Sequence, residues 1–139
     1  VRVQVEACAL NFADSMKALN LLPGLEGKPR LLGGEAAGTV TAVGSGVTEV
    51  VVGDRVMSVG AAAMGSLHTA RYFEKTPWSA EESAGMPVVF MTALYALEDL
   101  ARLQPGERVL VHSAAGGLGL AALLVAGLLL WLARRARPA

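Results

Sequence analysis

The stretch RVLVHSAAGGLGLAA, residues 108–122, limits what this chain can fold into more than any other. An apolar run leads into Ala114-Ala115-Gly116-Gly117-Leu118-Gly119, which fits G-x-G-x-x-G with Ala in the first place. Glycines at such a turn let main-chain N–H groups approach a diphosphate at the start of the next helix, where the helix dipole favours negative charge. The motif is weak in isolation and gains weight between a strand and a helix. The spacing predicts a short buried strand over RVLVH, a phosphate-binding turn, and a long apolar helix. A glycine turn with a purely structural role is the competing reading.

Upstream, Val1, Val3, Val5 and Ala7 alternate with Arg2, Gln4 and Glu6, the period of a half-buried strand. Phe12, Met16 and Leu19 stand near helical spacing, and NLLPGLEGKPR reads as a loop. In GGEAAGTVTAVGSGV, β-branched residues lie between glycines, which predicts strands joined by tight turns. Gly53-Asp54 between two apolar runs predicts a hairpin, and SLHTARYF predicts one further strand. Asp54-Arg55 is expected in a turn with a surface ion pair of small energetic value.

The texture changes after residue 75. Ser79 and Glu82 have the spacing of a capping box. Pro87 can open a second helix, whose apolar positions include Phe90, Met91, Leu94, Leu97 and Leu100 before Pro105-Gly106 ends it. The expected division is a β-rich domain over 1–75 and a helical, nucleotide-binding part over 76–139.

Charge excludes some partners. Twelve basic residues balance twelve acidic ones, so no global field draws the chain to nucleic acid. The single cysteine, Cys8, rules out an internal disulfide and suits a reducing, cytoplasmic setting. His68 and His112 have no ligand spacing around them and are expected to be structural histidines. The sequence starts without Met and without a signal peptide, which suggests a fragment of something larger.

Several blocks together resemble one family. They are ALNFADSMKALNLLPG, GGEAAGTVTAVGSGV, VVGDRVM and SAEESAGMPVVFMTALYALEDLARLQPGERVLVHSAAGGLGLAA. The chain resembles the enoyl reductase domain of modular polyketide synthases, within the zinc-independent medium-chain dehydrogenase/reductase superfamily and close to quinone oxidoreductases. The resemblance runs from Val1 to about Ala126. It implies a GroES-like β-barrel followed by an incomplete Rossmann-type domain: first strand, glycine turn and first helix.

The resemblance also implies an activity. The intact family reduces an enoyl thioester, held on an acyl carrier protein within a synthase module, with NADPH. Hydride goes to the β-carbon and a proton to the α-carbon. Asn11 and Thr92 would lie beside the nicotinamide and its ribose, and Ala114, Ala115, Gly116, Gly117, Leu118 and Gly119 would meet the pyrophosphate. The catalytic proton donor is unknown. Ser15 falls where some of these reductases carry a Tyr. Zinc relatives place a Cys where this chain has Asn11 and a His where it has Gly34, before Glu35, so no metal is expected.

Other readings stay open. Asn11 can instead cap the following helix, and Thr92 can be a core or helix-surface hydroxyl. The residue that reads the ribose lies about 20 positions past the turn, a count that reaches Ala139. The fragment alone is therefore expected to be inactive. The alternatives are a non-catalytic remnant, a GroES-like module that docks on a membrane or partner, and a quinone oxidoreductase. The membrane alternative rests on residues 114–133, an uncharged run followed by Arg134, Arg135 and Arg137. Leu123, Leu124, Leu128, Leu129, Leu130 and Trp131 are expected to lack a sheet to cover them.

Overall fold

The computed structural model describes residues 1–135 and resolves two compact units, one over Val1–Val88 and one beginning at Val89. In the first unit, β1 (Arg2–Ala9) leads to α1 (Phe12–Ala18), and β2 (Glu35–Ala42), β3 (Arg55–Val59), β4 (Leu67–Thr69), β5 (Tyr72–Lys75) and α2 (Ala80–Ala84) follow. The five strands form one antiparallel sheet in the order β4-β1-β2-β3-β5. Along β1 covered and exposed residues alternate, with Val3 buried and Val5, Ala7 and Ala9 half-buried, as its period of two predicts.

The topology forces this sheet to curl. Thr69 pairs with Arg2 beside Ala42, at one end of β2, and Tyr72 pairs with Val59 beside Glu35, at the other end. In a flat sheet their Cα atoms would lie about 30 Å apart, from strand spacings of about 4.8 Å and rises of about 3.4 Å. Only Ala70 and Arg71 connect them, and that link spans at most about 11 Å. A strongly coiled, staggered sheet satisfies both, which is the geometry of a barrel wall. Val3, Val40, Val50 and Val56 fill one cluster inside it, with Phe73 packed alongside. Each such side chain contributes about 1.5–3 kcal/mol on burial. Ala37 packs with Ala80 and Ala84 of α2.

Two local expectations change. The residues before Gly53 form no strand: Val40 of β2 accepts from Gly53 N and donates to Asp54 O, both at 2.9 Å, so β3 pairs with β2 across a longer connection. SLHTARYF holds two strands rather than one, because the chain leaves β1 at Thr69 and joins β3 at Tyr72. Asp54 and Arg55 do make surface ion pairs, with Lys75 at 2.7 Å and Glu6 at 3.8 Å. The capping box forms as spaced: Ser79 N donates to Glu82 Oε2 and Glu82 N to Ser79 Oγ.

The second unit contains most of α3 (Pro87–Leu94), a π-helical turn over Tyr95–Leu100, and α4 (Gly117–Arg135). Ala93 and Leu97 pack against Ala121, Val125 and Ala126 of α4. Ala101 N donates to Ala96 O, five residues back, which widens the turn. Met91, Leu94 and Leu100, expected on the apolar face, are exposed.

RVLVH is neither a strand nor buried. Residues 108–111 have no strand partner among the described residues, and Leu110 is 82% exposed. A strand needs a neighbour to take its main-chain donors and acceptors, and alternation alone cannot supply one. Leu123, Leu124, Leu128 and Trp131 are exposed, as expected, while Leu129 and Leu130 are half-buried.

The membrane alternative over 114–133 finds no support. Among the described residues, no helix is long and apolar enough to cross a membrane. Ala114 to Gly116 form a turn, so the helix gains its first residue at Gly117. The uncharged helical part then ends at Ala133, which at a rise of about 1.5 Å per residue falls short of a hydrocarbon core of about 30 Å. Arg135 stacks over Trp131, its guanidinium carbon 4.0 Å from the ring centre. Arg137 and Ala139, the expected ribose-reading position, lie outside the described residues.

Candidate functional site

The glycine turn lines a cleft of about 470 Å³ in the second unit. Thr92, His112, Ser113, Gly116, Gly117, Leu118 and Gly119 border it, and its walls are mostly apolar, with Leu97, Val111 and Ala122 among them. Ser113 takes a left-handed conformation, φ 52°, and its carbonyl accepts from Gly116 N at 2.9 Å. Leu120 N then donates to Gly116 O at 2.9 Å, the first helical bond of α4. The N–H groups of residues 117–119 therefore stand at the open end of the helix, without intrahelical acceptors.

Glycine is required at the third position for a steric reason. A Cβ on Gly119 would lie 2.3 Å from Ser113 O and 2.7 Å from Ala114 Cα. One on Gly117 would sit 3.8 Å from Val89 Cγ1, where α4 approaches α3. The turn can thus fold back on itself only because its side chains are absent.

The first unit holds a second polar cluster, at the start of α1. Asn11 is the N-cap residue, with φ −107° and ψ 158°, and shares a capping box with Asp14. Asn11 Nδ2 donates to Glu35 Oε1 at 2.9 Å. In the return half of the box Asp14 Oδ2 accepts from Asn11 N at 3.0 Å. Its Oδ1 accepts from Gly33 N at 2.9 Å and lies 3.5 Å from Lys17 Nζ. Burial pushes the Asp14 carboxyl up, yet the two main-chain donors and Lys17 outweigh that and hold it below its ordinary value.

Glu35 was missed as a functional candidate. It is 1% exposed, and its second oxygen accepts from Val88 N at 2.8 Å. The signal was available: one acid inside the apolar run GGEAAGTV must find donors when its strand is buried. A Cβ on Gly34 would lie 3.9 Å from Asn11 Nδ2, so positions 11 and 34 face one another. A carboxamide and a bare glycine offer a metal little there, and among the described residues no group of three His, Cys, Asp or Glu could hold one.

The structure brings Thr92 and the turn residues Gly116 to Gly119 to one cleft, with Ala114 and Ala115 in the turn itself. Asn11 belongs to the first unit. His112 borders the cleft, while His68 is buried in β4 with its Nε2 unpartnered among the described residues. His68 is thus structural but not fully satisfied.

The alcohol dehydrogenase GroES-like domain family matches residues 1–95. The chain belongs to that family. Over 130 residues, the GroES-like part included, the chain is 49% identical to the pikromycin polyketide synthase component PikAII of Streptomyces venezuelae. That match covers 91% of this chain and 3% of the relative. The CurK enoyl reductase has the same fold, with a TM-score of 0.85 at 39% identity over 92% of this chain and 42% of that one. The Escherichia coli quinone oxidoreductase solved with NADPH gives 0.78 at 34% identity, over 93% of this chain and 41% of that one. This GroES-like chain thus spans a small part of the curated synthases and under half of the solved reductases. Its fold is that of the medium-chain dehydrogenase/reductases, a GroES-like domain with the start of a Rossmann-type domain. Its relatives are oxidoreductases and polyketide synthases.

Proposed function

We propose that the chain forms the first part of an NADPH-dependent enoyl reductase that acts on an enoyl thioester carried by an acyl carrier protein, within a cytoplasmic polyketide synthase module. The observation that carries the reading is the turn at the cleft. Gly119 admits no Cβ, and three helix-terminal N–H groups are left at an open end beside Thr92. The fit is to the pyrophosphate part of the cofactor. Main-chain N–H groups of 117–119 would hold it, and Thr92 would offer a hydroxyl nearby. When bound, NADPH supplies the hydride. Asn11 would face the nicotinamide, and the reaction would need no metal.

In this reading, residues 1–75 are the GroES-like domain and 76–139 the linking helices and first Rossmann elements. Activity belongs to the whole protein, and the 139-residue chain alone is inactive. A second reading, quinone reduction, is favoured by the likeness to quinone oxidoreductases.

Calorimetry with NADPH, and with NADH as control, tests the cofactor site on this chain. Selective NADPH binding that Gly119→Val abolishes is the expected result. No binding by a folded chain overturns the view that these residues hold the cofactor unaided. Turnover of a carrier-bound enoyl thioester against a quinone, measured on the longer protein, separates the two enzyme readings.

A further inference from the structure

We propose that Glu35 is a positioning residue that decides which atom of the Asn11 carboxamide is offered to a ligand. The inference rests on the reading above, in which Asn11 meets the cofactor.

Glu35 is nearly inaccessible, and two uncharged donors hold it: Asn11 Nδ2 on Oε1 and Val88 N on Oε2. A buried carboxylate is costly to keep, and among the described residues this one has no ion-pair partner. A carboxylate only accepts hydrogen bonds, and a carboxamide has one donating end and one accepting end. Only the NH2 end of Asn11 can therefore face Glu35. The amide orientation follows from the chemistry of the partner.

The consequence is a polarity. Glu35 takes one of the two Nδ2 hydrogens and turns the NH2 end toward itself, and Oδ1 is the side chain's only acceptor. A ligand group that meets Oδ1 must bring a donor, such as a carboxamide NH2 or a sugar hydroxyl. Val88 N holds the other oxygen, so the carboxylate cannot rotate without losing a second bond. Asp14 adds to the rigidity by binding the Asn11 main-chain N–H.

Glu35→Gln tests this. The introduced carboxamide keeps Val88 N on its oxygen and must turn its NH2 toward residue 11. Asn11 then flips and presents its donor outward. NADPH affinity should fall about tenfold, the worth of one mismatched polar contact. Adding Asn11→Asp should restore affinity to within about threefold, because a carboxylate at position 11 accepts from that NH2 and still offers an acceptor outward. N11D alone places two carboxylates together and should bind worst. A merely structural Glu35 predicts instead that the double variant is weaker than either single one, and that result overturns the proposal.

A measurement without NADPH keeps the two ideas separable. In the unsubstituted chain, nuclear magnetic resonance should show the Asn11 NH2 protons exchanging slowly with water, and in E35Q rapidly. Fast exchange in the unsubstituted chain overturns the positioning role, whether or not any variant folds. Slow exchange in a chain that binds no NADPH supports the Glu35–Asn11 link and refutes the cofactor reading alone.

Discussion

The two units treat their apolar residues in opposite ways. In the first, Val3, Val40 and Val56 are at most 1% exposed and meet one another across a curled sheet. In the second, Leu110 is 82% and Leu124 64% exposed, although their sequence is the more hydrophobic. Hydrophobicity says that a residue should be covered. Topology decides whether a covering element is at hand. β1 finds its neighbours at β2 and β4, whereas residues 108–111 find none among the described residues.

The sharpest way to break the contrast is to break the first unit. A Cβ on Gly38 would lie 2.0 Å from Gln4 O, inside the β1–β2 pairing. Gly38→Val should cost about 3 kcal/mol or more, the upper end of overpacking. Denaturant unfolding should show the first transition lost or moved far down, with α4 helicity kept.

Gly119→Ala should cost less, about 1–3 kcal/mol, and only in the second unit. Amide exchange should speed at Leu120, which donates to Gly116 O. Faster exchange in β1 would mean that the units do not act separately.

Acid should weaken the first unit selectively. Burial lowers the His68 imidazole below its ordinary 6.5, against a backbone hydrogen bond with Ala61 that raises it. The unfolded chain then takes up this proton first as pH falls. Stability carries no penalty above 6.5, and loses ground from there down to the folded value. Asp14 acts lower: its contribution is full above 3.8 and is lost as pH falls through its depressed folded value. Melting curves from pH 7.5 to 5 should show a decline that His68→Gln removes. A decline unchanged by H68Q would assign it to other groups.

The smallest effect should come from the leucines that look most important in the sequence. Leu124→Gln should change stability by no more than about 0.5 kcal/mol, as surface substitutions do. Val40→Ala should cost about 1–3 kcal/mol. Equal losses would show that Leu124 is covered in solution, most simply by a second copy of the chain.

Legibility followed locality. The capping box of Ser79 and Glu82 was readable because both partners lie within one turn of helix. So was the period of β1, since one of its faces is covered and the other exposed along its whole length. The glycine turn was readable because Gly119 is fixed by atoms five and six residues back, Ala114 and Ser113. What distance hides was not readable. The sequence could not show that SLHTARYF divides between two opposite edges of the sheet, because that depends on pairing with Arg2 and Val59. It could not show that the Asn11 side chain reaches Glu35, 24 residues away. RVLVH failed in the opposite direction: its pattern was right for a strand, and it has no strand neighbour among the described residues.

The two-residue link between β4 and β5 has a consequence in time. Val3 pairs with His68, 65 residues later in the chain, so β1 leaves the ribosome long before its outer neighbour exists. The β2–β3 pair is far more local and can form first, since closing a shorter loop costs less entropy. The outer edge of β1 must then wait unpaired, with β2 on its other side, until Ala70-Arg71 brings both rims of the sheet together. The step that closes the wall is thus also the step that ends the chain's exposure to wrong partners.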